Sequence, residues 1–295
     1  MNGFLNLLKP PGMSSGAAVA AVKRWTGERT GHAGTLDPEA AGVLPVMIGR
    51  ATRLLEYFPD KTKSYVAEIA FAGATDTQDA QGVITEKPTR VPAREEIEAA
   101  LPAFRGVILQ RPPAYSALKR DGVPLYHLAR QGKAVETAAR ETLIRTLALG
   151  EKTGEDGYML QIDCGSGTYI RTLCHDIGKA LGAPAHMRFL LRTRHGSFDI
   201  ENAVTMEEAA SAAEKGCLQE LMIPMDQPLL PLPALILPEK YWKAGRNGGK
   251  LPAGLMPALE NGALCRIEIA GELAGVGRKD GDTIRFEVGL MGGEG

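Results

Sequence analysis

Cysteine is scarce: Cys164, Cys174, Cys217 and Cys265 are the only four in 295 residues, far apart and without a C-x-x-C pair. That pattern excludes a disulfide framework and a zinc site and points to reduced thiols. Long apolar runs are missing too. No stretch approaches the ~20 apolar residues of a membrane span, and the N-terminus lacks a cationic segment leading into an apolar one. A cytoplasmic protein without a membrane association is expected. Neither charge sign dominates, the formal net being −1, so a polyanionic partner would have to be met by local positive charge. There is no Walker G-K-S/T, no G-x-G-x-x-G fingerprint and no G-x-S-x-G serine elbow. Residues 75–82 hold Asp76 and Asp79 but lack the glycine and closing glutamate of an EF-hand, so no metal is expected and the run reads as a turn between strands.

Glycine (35) and proline (19) are plentiful, and they crowd one place. Residues 31–45, Gly-His-Ala-Gly-Thr-Leu-Asp-Pro-Glu-Ala-Ala-Gly-Val-Leu-Pro, set one carboxylate, Asp37, in a segment too rich in breakers to be a helix or a strand. Pro38 fixes its own φ and biases Asp37 toward an extended backbone, so the neighbours aim the side chain. Taken alone, Leu36-Asp37-Pro38 reads more readily as a turn with a satisfied aspartate, and it is the rest of the run that reverses this.

Around this loop the chain alternates strand and helix signals. Residues 4–8 read as a strand closed by Lys9-Pro10-Pro11-Gly12, and Ser14-Ser15 cap a helix running to about Trp25. A helix is expected over 49–58, a strand over 63–71, and an acidic helix over 92–101. Strands follow over 142–149 and 157–164, then a helix to Gly182, a strand over 186–196, and a helix capped by Thr205. In the strand over 63–71, period two places Tyr65, Ala67, Ile69 and Phe71 on one face, which core packing alone would explain. Pro224, Pro228, Pro231, Pro233 and Pro238 mark a linker with a boundary near 230–236. Beyond it, short strands separated by glycine turns predict a small β-barrel with a basic start at Lys240, Lys243, Arg246 and Lys250.

Between Arg111 and Arg145 seven cations face Asp121, Glu136 and Glu141, a local net of +4, with Tyr115, Tyr126 and His127 interleaved. Cations with aromatics suit looped RNA, whose phosphates need neutralising and whose splayed bases stack. A solvated charged face is the alternative on charge alone.

The 31–45 run resembles the nucleophile loop of the TruB family, the tRNA pseudouridine-55 synthases. The opening Lys9-Pro10-x-Gly12-x-Ser14-Ser15, Lys63-x-Tyr65, and Gly167-Thr168-Tyr169-Ile170-Arg171-Thr172 are similar to that family's further motifs. The resemblance implies an α+β fold, a mixed and mainly antiparallel sheet flanked by helices, with a PUA-like β-barrel at the C-terminus. It divides the chain into a catalytic domain over 1–232, with a thumb insertion at about 113–140, and an RNA-binding domain over 233–295. Asp37 is then the nucleophile and His32 a contact at the target. Tyr65 is the stacking platform and a candidate proton acceptor, and Arg171 the partner of Asp37. Tyr169 and Leu190 are implied contacts of the flipped base. Lys119, Arg120, Arg130, Lys133 and Arg192 are expected to touch RNA. The activity implied is isomerisation of one uridine in the T-loop/T-stem arm of tRNA by a monomer with no cofactor and no protein partner. A binding protein without turnover, and a synthase acting on another RNA with or without a guide, are the rival readings.

Overall fold

The computed structural model describes residues 1–113, 115, 119–120, 123–124 and 137–291. Strands β1 (Gly3–Lys9), β2 (Thr30–His32), β3 (Ala41–Ile48) and β4 (Lys63–Ala70) come first, then a hairpin of β5 (Ala74–Thr75) and β6 (Ile84–Glu86). β7 (Gly106–Gln110) precedes the short pair β8 (Lys119–Arg120) and β9 (Val123–Pro124). β10 (Arg140–Thr153), β11 (Gly157–Cys164), β12 (His186–His195), β13 (Phe198–Asp199) and β14 (Val204–Thr205) complete the main sheet. Its order is β14-β1-β3-β12-β4-β11-β10-β7, with β2 on β3 and β13 on β12. Only β1/β14 and β3/β12 run parallel. The architecture is the mixed, mainly antiparallel α+β sheet expected.

Both faces of the sheet are buried around β1 and β3, and period two sorts their side chains between them. Leu5 and Leu7 of β1 with Leu44, Val46 and Ile48 of β3 join Ala18 and Val22 of the Ser15–Thr26 helix, Leu173 and Ile177 of the Ile170–Ala180 helix, and Ala209 of the Met206–Glu214 helix. Phe4, Val43 and Met47 point the other way into a second core with Leu54, Phe58 and Phe198. There Phe4 meets Phe58 and Phe198 edge-on at 5.6 and 5.5 Å between ring centroids.

Residues 49–58 are two short 3₁₀ turns, Gly49–Arg53 and Leu55–Tyr57, where the sequence predicts a helix. Gly49 has φ +61°, outside helical space, and i→i+3 bonds from Leu54 to Ala51 and from Tyr57 to Leu54 tighten the chain. That winding delivers Ala51, Leu54 and Phe58 together to the second core. The acidic helix starts two residues later than expected, at Arg94, with the Glu96 carboxylate accepting from the Ala93 N–H at 2.8 Å.

The C-terminal strands β15 (Ala234–Leu237), β16 (Leu251–Pro252), β17 (Leu264–Ile269), β18 (Glu272–Asp280) and β19 (Thr283–Gly289) form a sheet of order β15-β17-β18-β19-β16. Leu235, Leu251, Ile267, Ala274 and Ile284 share one core, so the sheet curls around its own apolar face. Val276, Val288 and Leu290 instead join the second core of the main sheet, and Arg50 and Arg53 donate to the Leu290 and Gly289 carbonyls. Among the described residues no helix is long and apolar enough to cross a membrane.

One glycine closes the sheet beside the 31–45 loop. Gly42 has φ +116°, and a Cβ there would sit 2.2 Å from the Arg192 carbonyl oxygen on β12. Gly42→Ala is expected to destabilise by more than about 2 kcal/mol in urea melts, because backbone must move. Gly12→Ala, at φ +78° with open space around it, should cost only the left-handed penalty of about 1–2 kcal/mol. Equal midpoints for the two variants would refute this account of the β3–β12 contact.

Candidate active site

The loop carrying Asp37 has few backbone partners of its own, and buried side chains supply them. Lys9 is fully buried and its Nζ donates to the carbonyls of Pro10 (2.7 Å), Met13 (2.7 Å) and Pro38 (3.0 Å). Burial pushes its ammonium down to about 8, against the pull of Glu39 and Asp37. Ser15 Oγ donates to the Leu36 carbonyl at 2.9 Å and accepts from the Leu36 N–H at 2.8 Å, fixing the residue before Asp37 on both sides. The opening Lys-Pro-x-Gly-x-Ser-Ser motif therefore braces the loop.

Arg192 is the third brace, which corrects its expected role in touching RNA. It is 0% exposed. Its Nε donates to the Val43 carbonyl at 2.7 Å, Nη2 to that of Gly34 at 3.1 Å and Nη1 to that of Thr35 at 3.5 Å, and the guanidinium also bonds the Tyr65 hydroxyl. Alternation along β12 places Arg192 opposite Tyr65 on β4, facing inward, so it ties the loop to the tyrosine.

Asp37 meets Arg171 through a two-pronged pair, Nη2 to Oδ1 at 3.0 Å and Nε to Oδ2 at 2.9 Å. Arg171 follows Tyr169, the N-cap of the Ile170–Ala180 helix, and is 5% exposed. Its remaining N–H groups donate to the carbonyls of Thr77 (3.1 Å) and Tyr115 (3.0 Å), and Asp79 Oδ2 lies 3.6 Å from Nη1. The fork orients Asp37. It does not hold the carboxyl at its ordinary pKa: burial raises it more than Arg171 lowers it, and Asp79 adds to the rise.

Two cavities meet at this pair. The smaller, of roughly 330 Å³, is lined by Asp37, Lys63, Tyr65, Tyr169, Arg171 and Leu190 among others. The larger, of roughly 540 Å³, shares Asp37, Arg171 and Leu190 and adds His32, Asp79, Tyr115 and Met187. Tyr65 is nearly buried and its phenol is pushed up to about 12, so it is neutral at physiological pH. His32 Nδ1 accepts from the Gly34 N–H at 3.3 Å, and burial with the nearby Arg192 charge lowers its pKa, leaving a neutral ring. The Gln110 amide grips the Tyr169 backbone at 3.0 and 3.2 Å.

The fold thus brings Asp37, Tyr65, Tyr169, Arg171 and Leu190 to one cavity and His32 to its neighbour. Lys119 and Arg120 form a strand paired with Val123–Pro124. Arg130 and Lys133, with most of the thumb, lie outside the described residues. Asp79, Lys63 and Gln110 were missed. The spacing of Lys63 from Tyr65 on one strand face was a usable signal; Asp79 had none, because only the folded hairpin turn carries it to Arg171.

In ¹³C NMR the Asp37 carboxyl should titrate above the ordinary aspartate value of about 3.9, and Arg171→Gln should move its midpoint higher still. A midpoint at or below that value in the parent would overturn the dominance of burial.

The family model of the TruB family pseudouridylate synthase N-terminal domain matches residues 23–170, and that of the tRNA pseudouridylate synthase B C-terminal domain matches 171–230. The tRNA pseudouridine synthase B of Pelotomaculum thermopropionicum is 44% identical over 257 residues, covering 85% of this chain and 81% of that one. Its counterpart in Moorella thermoacetica is 41% identical over 290 residues, 95% of each. A crystal structure of a Cbf5-Nop10-Gar1 complex matches with a TM-score of 0.75 and 28% identity over 97% of this chain and 84% of that one. An H/ACA RNP bound to a substrate RNA containing 2′-deoxyuridine matches at 0.74 and 26%, over 98% and 85%. With the motif loop, the paired carboxylate and these matches together, the chain belongs to the TruB family of pseudouridylate synthases.

Proposed function

We propose that this protein isomerises the uridine at position 55 in the T loop of tRNA to pseudouridine, flipping the base into the smaller cavity and using Asp37 as nucleophile. The observation that carries this is the Asp37–Arg171 fork at the wall of a cavity that also holds Tyr65 and Leu190. A module that only binds RNA has no need of a sequestered carboxylate. The relatives named tRNA pseudouridine synthase B, at 41–45% identity, support a tRNA enzyme over one that works in an assembly such as the Cbf5-Nop10-Gar1 complex or the H/ACA RNP, which stand at 26–28%.

The reaction breaks the N1–C1′ bond, joins C5 to C1′, moves the C5 proton off carbon and leaves a proton on N1. Nothing is oxidised and no group is donated, so no cofactor is called for. Asp37 holds the intermediate while the uracil turns. Ionisation is needed for that role, and Arg171 favours it against burial. Tyr65 stacks on the base, offsetting about 1–3 kcal/mol of the unstacking cost. With its phenol at about 12 it makes a poor proton acceptor at neutral pH, which narrows its role to stacking. His32 props the space the base leaves. Residues 1–232 carry the chemistry as a monomer in the cytoplasm, and the C-terminal sheet from 233 onward adds RNA contacts.

The deciding measurement is tritium release from an unmodified tRNA transcript labelled at uridine C5. The parent should release one equivalent per tRNA, while Asp37→Asn binds the same tRNA and releases none. Binding without release by the parent would make this a non-catalytic RNA-binding protein, and neither binding nor release would point to another RNA. Tyr65→Phe should keep turnover within about ten-fold of the parent, whereas a loss beyond about 100-fold would restore Tyr65 as the proton acceptor.

A further inference from the structure

We propose that a separate cavity, reached from the catalytic one across Lys63, holds a backbone phosphate of the RNA strand beside the target uridine. This rests on the reading that the substrate is a uridine within RNA. The cavity measures roughly 470 Å³, and Arg53, Glu56, Lys61, Lys63, Ser166 and His195 are in its lining. Among the described residues, Lys63 is the one that also lines the smaller catalytic cavity.

Three cations here face one carboxylate, and two are already committed. Arg53 Nη1 donates to the Gly289 carbonyl at 2.8 Å, and Lys61 Nζ to that of Glu56 at 2.7 Å. Lys63 is different. Its Nζ has only long contacts, 3.4 Å to Ser166 Oγ and 3.5 Å to the Lys61 carbonyl, and it forms no ion pair among the described residues. Burial, Arg192 and Lys61 all disfavour its charge, so a bound anion would relieve a real electrostatic cost. His195 is 3% exposed with Nδ1 unpartnered, and burial beside Lys63 and Arg192 pushes it down to about 2. It is a neutral ring in a cationic wall.

Placement supplies the rest of the argument. Lys63 and Tyr65 project from the same face of β4, two residues and about 6.6 Å apart along the strand. A base seated against Tyr65 carries a phosphodiester on each side of its ribose, and the cation beside it is Lys63. The phosphate would accept from Lys63 Nζ, and from Ser166 Oγ once that hydroxyl turns from the Lys61 carbonyl 3.3 Å away, rather than sit at the reacting carbons. Lys63 is therefore a binding residue, and its loss should raise KM more than it lowers kcat.

The test pairs Lys63 variants with T-arm RNA bearing one neutral methylphosphonate, scanned through the phosphates flanking the target. Lys63→Met should weaken binding about ten-fold and reduce the slope of log K against log salt by about 0.7–0.9, while Lys63→Arg keeps both near the parent's. At one position the methylphosphonate should weaken the parent by a similar factor and leave Lys63→Met unchanged. The proposal is overturned if no position weakens the parent, a result independent of how well Lys63→Met folds, or if the two losses multiply at every position. Tritium release by the parent separates the two readings: no release overturns the function, whereas release with an unchanged salt slope in Lys63→Met overturns the phosphate site alone.

Discussion

The structure depends on a carboxylate held where water is scarce and a guanidinium that makes this tolerable. Removing one partner of a fully buried ion pair costs about 3–5 kcal/mol. Asp37 keeps 35% of its side chain exposed while Arg171 keeps 6%, so a carboxylate left without its arginine could still be hydrated and the cost of losing Arg171 falls below that range. Arg171 is accordingly well partnered, with the Asp37 fork, the Thr77 and Tyr115 carbonyls and the nearby Asp79 around one planar group. The pair is a positioning device first. Burial outweighs Coulomb attraction at Asp37, which leaves a carboxylate more basic than an exposed aspartate and hence a better nucleophile once ionised.

The same economy governs the loop. A glycine- and proline-rich segment cannot satisfy its carbonyls by regular pairing, and burying them unsatisfied would cost about 1–3 kcal/mol each. Lys9 and Arg192, both without exposure, bind four such carbonyls between them, those of Gly34, Thr35, Pro38 and Val43, and Lys9 adds those of Pro10 and Met13 in the turn before it. A fixed backbone around Asp37 results, obtained at the expense of two buried cations whose pKa values burial lowers. The 31–45 run, expected to be neither helix nor strand, enters as β2 and leaves as β3, and only residues 33–40 between them lack regular structure. Rigid cationic clamps of this kind explain how that short connection can hold a reacting group in place.

Much of this was legible in the chain, for identifiable reasons. The strand at Lys63, the helix after Tyr169 and the turn-rich C-terminal sheet follow from period and breakers. Asp37 stood out because glycine and proline crowd around it, whereas Arg171 stood out only through the resemblance of Gly167-Thr168-Tyr169-Ile170-Arg171-Thr172 to a family motif. Arg192 misled for a physical reason: an arginine on a strand can face either way, and only the sheet order, which packs β12 between β3 and β4, reveals that this one points inward. The 49–58 segment misled because helical spacing of apolar residues also suits successive 3₁₀ turns. Asp79 depends on a hairpin meeting a distant helix, a relation no local pattern encodes.

Strand register is what finally joins these parts. On β12, Leu190 and Arg192 lie opposite Ala67 and Tyr65 of β4, so one face presents a cavity wall, a clamp and a stacking ring in sequence. A slip of one residue would turn all of them outward. Pairing irregularities between Met187 and Phe189 and between Arg192 and Arg194 bracket this segment on either side. Such bulges bend a strand and re-aim its side chains, and here they confine the in-register stretch to the residues that face the site. Gly42 then lets β3 approach β12 closely enough for the Arg192 guanidinium to reach the Val43, Gly34 and Thr35 carbonyls. The position of the nucleophile is therefore set by sheet geometry transmitted through one buried arginine, and only secondarily by the loop that carries it.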